Sequence, residues 1–430
     1  MSENSTVSER TPSAEATGAE QSAPANAPSL RKNTDFIRLW VSAGVSRFGT
    51  SLTMAAFPLL VLWHTGSASA TGLVAFAAAL PNFLIQLPSG ALVDRCDRKK
   101  LMIGCDVVSV LVVGSVAVTE LGGRFWLPHL MAAAFVQGSL SIVYLLSERA
   151  TVRNVVTGDQ LPAALAQNEA RGAAIGLLGQ PGSSLLFTVA RWLPFTVNAV
   201  ANVVAVILLV LIRRSLKATQ TGPPKRLHVD ITEGVRWLWK RRFLRTMTGV
   251  FAGSNLVFQV LLLAVMVIIH DGGNSPAVVG VVIGVGGIGG VLGALCASWW
   301  SRRASLYRTV VVGFSVWTVL IPLAVLSRSP VVLAATLAGI SFVASLFNVT
   351  GSVYQIRTTP DELQGRVNGA TSFLSSGANS LGALAGGYLL ERVGTTGTGV
   401  GLGVVVLLLT VVVTTSPVVR AEGRADPDMG

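Results

Sequence analysis

Twelve stretches of about twenty predominantly apolar residues recur along this chain, each broken off by a shorter polar segment. A helix of that length spans the hydrocarbon core of a bilayer, where only helices and closed barrels satisfy their own backbone. The stretches lie near residues 36–63, 70–93, 101–121, 126–148, 170–190, 193–212, 244–269, 276–298, 307–326, 330–353, 370–390 and 397–417. The fifth and sixth nearly merge around Arg191-Trp192-Leu193-Pro194, so hydropathy alone also admits eleven or thirteen. Charged residues are 13% of the chain, against about a quarter in soluble proteins. The reading is an all-α integral membrane protein with twelve transmembrane helices and the lipid bilayer as its surroundings.

The net charge of +12 is placed for topology rather than for nucleic acid. With the N-terminal tail in the cytoplasm, the inward segments hold twenty-two basic residues, among them Arg95, Arg98, Lys99, Lys100, Arg149 and Arg171. The outward loops hold four: Arg124, Arg191, Arg328 and Arg392. This bias puts both termini in the cytoplasm, which requires an even number of crossings, and the expected location is the cell inner membrane.

Residues 1–32, rich in Ser, Ala, Thr, Pro and Glu, read as a disordered cytoplasmic tail without the pattern of a signal peptide. Residues 213–243 form the longest polar interruption: Gly222-Pro223-Pro224, then an amphipathic run ending at Trp237 and Trp239. They read as a cytoplasmic linker with an interfacial helix. It separates six spans in 33–212 from six in 244–417, with a short cytoplasmic tail over 418–430. Gly90-Ala91-Leu92 recurs as Gly293-Ala294-Leu295, and Asp159-Gln160-Leu161 as Asp361-Glu362-Leu363, at nearly equal offsets. Two pseudo-symmetric six-helix bundles follow from that repeat. The second copy has Ala297 where the first has Asp94.

The loop containing Gly90, Asp94, Arg95, Arg98 and Lys99 resembles the signature loop of the major facilitator superfamily, except that Asp97 stands where a glycine is usual. A second segment, with Pro360, Asp361, Glu362, Gly365 and Arg366, is similar to the branch holding macrolide-efflux-type and siderophore-export permeases. The resemblance implies two bundles that rock about a central cavity. It also implies that Asp94 latches the outward-facing state through helix ends and the following arginines. Gly172, Gly176, Gly179, Pro181 and Gly182 partly resemble the antiporter motif of that family, with Gln180 intervening, which implies proton-driven export.

Ionisable residues inside membrane spans are costly and tend to face a cavity. Arg47 lies deep in the first stretch and reads as a partner for substrate or a carboxylate. Glu148, ending the fourth, reads as a partner of Arg47 and a proton-coupling candidate, or as an interfacial ion pair. Asp106 reads chiefly as structural, bonding the signature loop or capping a neighbouring helix, with proton handling as the alternative. Gln137, Asn255, Gln259 and Asn348 are polar positions on helices that line the cavity in this fold. Gly284-Val285-Gly286-Gly287-Ile288-Gly289 satisfies the dinucleotide fingerprint, yet it lies inside an apolar span and reads as a helix-packing face.

Cys96, Cys105 and Cys296 have no metal spacing, and no nucleophile–base pair or ATP-binding loop occurs. The expectation is therefore no enzyme, no metal and no cofactor. It is a monomeric exporter of amphipathic small molecules by proton antiport. A narrow-specificity siderophore or biosynthetic-product exporter is the first alternative, and a non-transporting receptor or scaffold the second.

Overall fold

The computed structural model describes residue 30 and residues 33–213 and 236–422; within these, the side chains of Leu87, Arg153, Asp361, Glu362, Val418, Ala421 and Glu422 are left undescribed. The N-terminal tail and most of the linker lie outside the described residues. At the linker's end, residues 236–240 are helical, and the Arg241 guanidinium stacks over the Trp237 ring at 4.5 Å.

The first half contains α1 (Thr34–Thr65), α2 (Ala68–Leu84), α3 (Gln86–Arg95), α4 (Arg98–Leu121), α5 (Leu127–Val155), α6 (Leu161–Val189) and α7 (Leu193–Val210). The second contains α8 (Arg242–Asp271), α9 (Pro276–Ser301), α10 (Leu306–Leu326), α11 (Pro330–Thr358), α12 (Asp361–Thr415) and the short α13 (Pro417–Glu422). Among the described residues nine of these helices are long and apolar enough to cross a membrane; with the bent pair α2 and α3, the more polar α6 and the division of α12 at Gly394, the crossings number twelve. The pair α2 and α3 is one span bent by 60°, where Pro88 has no N–H to give the carbonyl of Leu84. Helix α12 is two spans joined at Gly394, whose φ of 69° and ψ of −179° break the helix in a region that only glycine enters freely.

The surface is that of a protein in lipid: Leu111, Val118, Val189, Leu295 and Val331 all point outward. Inside the first half, α1 packs on α5, α6 and α7, and α4 on α5 and α7. Inside the second, α9 packs on α11, α8 on α12, and α10 on both α11 and α12. The halves meet where α2 lies on the first arm of α12 and where α6 lies on α9. Exchanging the halves turns one contact into the other, so the interface shares the two-fold pseudo-symmetry of the repeat. The glycine fingerprint is a packing face, as expected: a Cβ on Gly289 would fall 2.2 Å from the carbonyl oxygen of Ala338 on α11.

We term the face that carries Thr34, Arg98, Arg242 and Asp361 basal, and the one with Thr65, Asp271 and Gly394 distal. At the distal end the halves are closed. One apolar cluster joins Phe57, Leu60 and Leu62 of α1 to Leu261, Ala264 and Ile268 of α8. A Cβ on Gly72 would lie 2.7 Å from the Cα of Gly387, so α2 and α12 touch there through main chain. Above that contact the carboxylate of Glu391 accepts from the Ser69 N–H (3.1 Å) and the Ser67 hydroxyl (3.2 Å), capping the N-terminus of α2 from the other half. At the basal end the same two helices separate: nothing lies within 4 Å of a Cβ on Gly90, Gly365 or Gly369. The basal core of the first half, with Phe36, Leu39, Met102 and Leu209, is a separate cluster.

Candidate functional site

Each half holds a chamber. That of the first half, about 360 Å³, is walled by α1, α4, α5, α6 and α7. Helical spacing brings its polar groups together: Asp106 and Ser109 are one turn apart on α4, Gln137, Tyr144 and Glu148 share a face of α5, and Asn198 and Asn202 share one of α7. The Ser46 hydroxyl donates to Oδ1 of Asp106 at 2.6 Å. Ser109 donates to Oε1 of Gln137 at 2.9 Å and accepts from Asn202 at 2.7 Å. Asn202 also donates to Oδ1 of Asn198 at 3.0 Å. These bonds tie α1, α4, α5 and α7 at the depth where an unpaired polar group is most costly.

One turn toward the basal face lies an Arg–Glu–Arg triad. Glu148, 3% exposed, receives a hydrogen bond from Nη2 of Arg171, and its other oxygen stands 3.7 Å from Nη1 of Arg47. Arg171, 7% exposed, also donates to the carbonyl of Trp40 at 2.6 Å and stacks over that indole at 5.4 Å. The side chain of Arg47 remains 32% exposed and lines the chamber. The expected Glu148–Arg47 pair is therefore present, but the tighter partner of Glu148 is Arg171. Reading Arg171 as a loop residue is corrected: α6 starts at Leu161, before its apolar run, and Arg171 lies ten residues inside it. Asp106 is corrected too, since it bonds α1 through Ser46 rather than the signature loop.

The chamber of the second half, about 380 Å³, runs from mid-membrane to the basal ends of α8, α11 and α12. Its wall carries Phe251, Phe258, Trp317, Phe347, Asn255 and Asn348 and, among the described residues, no acidic or basic one. Phe347 stacks between Phe314 (5.3 Å) and the edge of Trp317 (5.0 Å). The Trp317 N–H is engaged by the carbonyl of Ile340. Of the expected polar positions, Asn255 and Asn348 reach the chamber. Gln259 does not; its Cβ faces Gly382 at the α8–α12 contact.

In the signature loop, Asp97 is the N-cap of α4, accepting from the N–H groups of Lys99 and Lys100. Its φ of −67° requires no glycine. Lys99 donates to the carbonyls of Val210 and Ile212, and Arg98 to that of Ala150, so these cations cover helix C-termini. Asp94 and Arg95 are exposed, and Asp94 has no partner among the described residues. In the second motif, Pro360 accepts from the N–H groups of Leu363 and Gln364 as α12 begins. The backbone at Asp361 and Glu362 is helical, while their side chains lie outside the described residues; Arg366 is half-buried in the first turns.

Residues 39–303 and 255–428 match the family described as Major Facilitator Superfamily. The chain is 28% identical over 392 residues to the multidrug efflux pump Tap of Mycolicibacterium fortuitum, covering 86% of this chain and 93% of that one. Over 81 residues, 19% of this chain and 20% of the relative, it is 33% identical to macrolide efflux protein A of Streptococcus pyogenes. In three dimensions it is similar to a point-mutant form of the nucleoside transporter NupG, with a TM-score of 0.70 at 11% identity, over 88% of this chain and 99% of that one.

Proposed function

The chain belongs to the Major Facilitator Superfamily and is a multi-pass membrane transporter of small molecules, and from that premise we propose that it is a secondary exporter of amphipathic compounds. The observation that carries the reading is the pair of chambers of opposite character: one ionisable and hydrogen-bonding, the other aromatic and without charge. An amphipath has a part suited to each. Relatives named as multidrug and macrolide efflux pumps support the direction of transport.

In this reading the basal face, where the basic residues gather, is the cytoplasmic one, both termini lie there, and the membrane is the bacterial inner membrane. The described state is then open inward. Export proceeds by alternating access: the distal contacts at Glu391 and Gly72 separate while the basal ends of α3 and α12 close, with Asp94 latching that second state. Proton antiport is part of the proposal. A proton arriving at Glu148 must break an ion pair, whereas Asp106 bears only the Ser46 hydroxyl, so Asp106 is the carboxyl that exchanges.

The test is expression in an efflux-deficient bacterium with accumulation of erythromycin and ethidium as readout. The full chain is expected to lower accumulation of both, and Asp94→Asn to restore it while membrane abundance is unchanged. Accumulation equal to the empty-vector control for the wild-type chain would overturn the exporter reading. In everted vesicles, addition of a transported compound is expected to release protons from the acidified lumen.

A further inference from the structure

We infer that the first-half chamber is a binding site for zwitterionic aromatic amphiphiles, with the Arg47 guanidinium taking the anionic group and the Asp106 carboxylate the cationic one. The inference deepens the exporter reading and rests on it for the premise that these chambers take substrate.

Bonding capacity is the starting point. Two arginines and two carboxylates line or back the chamber, and with all four ionised their charges cancel. Glu148 and Arg171, the deepest pair, engage each other, and Arg171 is held further by the Trp40 carbonyl. What remains without a hydrogen bond is the Arg47 guanidinium, the Glu148 Oε2 that faces it across 3.7 Å, and Oδ2 of Asp106, the one carboxylate here with no cation beside it among the described residues. Arg47 approaches Glu148 only to 3.7 Å, beyond hydrogen-bond reach, and makes no hydrogen bond among the described residues. A guanidinium has five N–H donors to offer. Gly172 keeps one flank of it bare: a Cβ there would lie 4.0 Å from both terminal nitrogens. Asp106, 2% exposed, has Oδ1 fixed by Ser46 and Oδ2 without a partner. Ser46 and Arg47 are consecutive on α1, which ties the two unengaged groups to neighbouring residues of one helix.

On the neutral wall Ser109, Gln137 and Asn202 bond one another, while Oδ1 of Asn202 and the Tyr144 hydroxyl stay without a hydrogen-bond partner; these carry no charge and so do not select the charge of a ligand. A ligand carrying a single charge pairs with one unengaged group and leaves the chamber with net charge in a low-dielectric setting. A zwitterion satisfies both groups and leaves the sum at zero. The second-half chamber, whose wall among the described residues carries no Asp, Glu, Lys, Arg or His, discriminates ring bodies and not charges.

Three probes on one ring system separate the contributions: ciprofloxacin, which is zwitterionic at neutral pH; its methyl ester, cationic only; and its N-acetyl derivative, anionic only. Equilibrium binding is measured calorimetrically on the purified full chain in nanodiscs. Ciprofloxacin is expected to bind about tenfold more tightly than either derivative, the value of one charge-assisted hydrogen bond. Arg47→Gln is expected to abolish its advantage over the ester and retain that over the acetyl form; Asp106→Asn is expected to do the reverse. The ester's affinity for Arg47→Gln and the acetyl form's for Asp106→Asn serve as folding controls, since each lacks the group that the variant can no longer receive. Equal affinities for the three probes, no binding of any, or a uniform loss across probes in a monodisperse variant would each overturn the inference. Export is scored separately in cells: charge selectivity in binding without export refutes the exporter reading, and export without charge selectivity refutes this one.

Discussion

Arg171 shows what a single buried side chain does here. It neutralises Glu148 in the interior of the first half, and removing one member of a buried ion pair strands the other. Arg171→Met is expected to cost about 3–5 kcal/mol, read as a lowered thermal transition in detergent. The double change Arg171→Met with Glu148→Leu is expected to be clearly milder, because no stranded carboxylate remains. At this scale the sequence was half legible. Arg47, Asp106, Glu148 and Gln137 announce themselves as polar residues in apolar runs. Their partners do not: Ser46 is an ordinary serine 60 residues from Asp106, and Arg171 is masked by the polar first turns of its helix.

Among the elements, α4 illustrates how a departure from a family pattern is absorbed. Asp97, in place of the usual glycine, caps the helix through its carboxylate. Asp97→Ala is expected to cost about 1 kcal/mol, and Asp97→Gly only a few tenths, measured by the same thermal transition. Helix existence was legible from the apolar stretches, including the two that Gly394 joins into one continuous element. Helix ends were less so. The fourth stretch was read as ending at Glu148 and the tenth at residue 353, but α5 runs on to Val155 and α11 to Thr358. Hydropathy reports where lipid stops, whereas the helices end at their caps and at contacts made by remote residues, such as the Asn33 side chain on the carbonyl of Val155.

The whole molecule consists of two halves that meet where α2 lies on α12 and α6 on α9. The duplication was legible from two short repeats at matching offsets; the conformation was not, because Ser67, Ser69 and Glu391 meet only when the chain is folded. Glu391→Gln removes the charge that caps α2 across the distal interface. It is expected to shift the balance away from distal closure by about two- to fivefold, read as distances between spin labels on the distal ends of α1 and α8. Asp94→Asn is expected to leave the distal-closed distances unchanged, since Asp94 has no hydrogen-bond or ion-pair partner among the described residues.

The uneven distribution of ionisable groups between the chambers bears on how the carrier responds to voltage. Among the described residues every acidic or basic wall residue belongs to the first half, and with all four ionised Arg47, Arg171, Asp106 and Glu148 sum to zero. A unit charge crossing the full field gains or loses about 2.3 kcal/mol per 100 mV; in the proposed cycle a chamber of zero net charge would carry no such work when re-exposed. Under the proposed antiport the step that carries a zwitterion is then electrically silent, whereas the return with Asp106 protonated moves one positive charge, so the voltage is expected to act on the return alone.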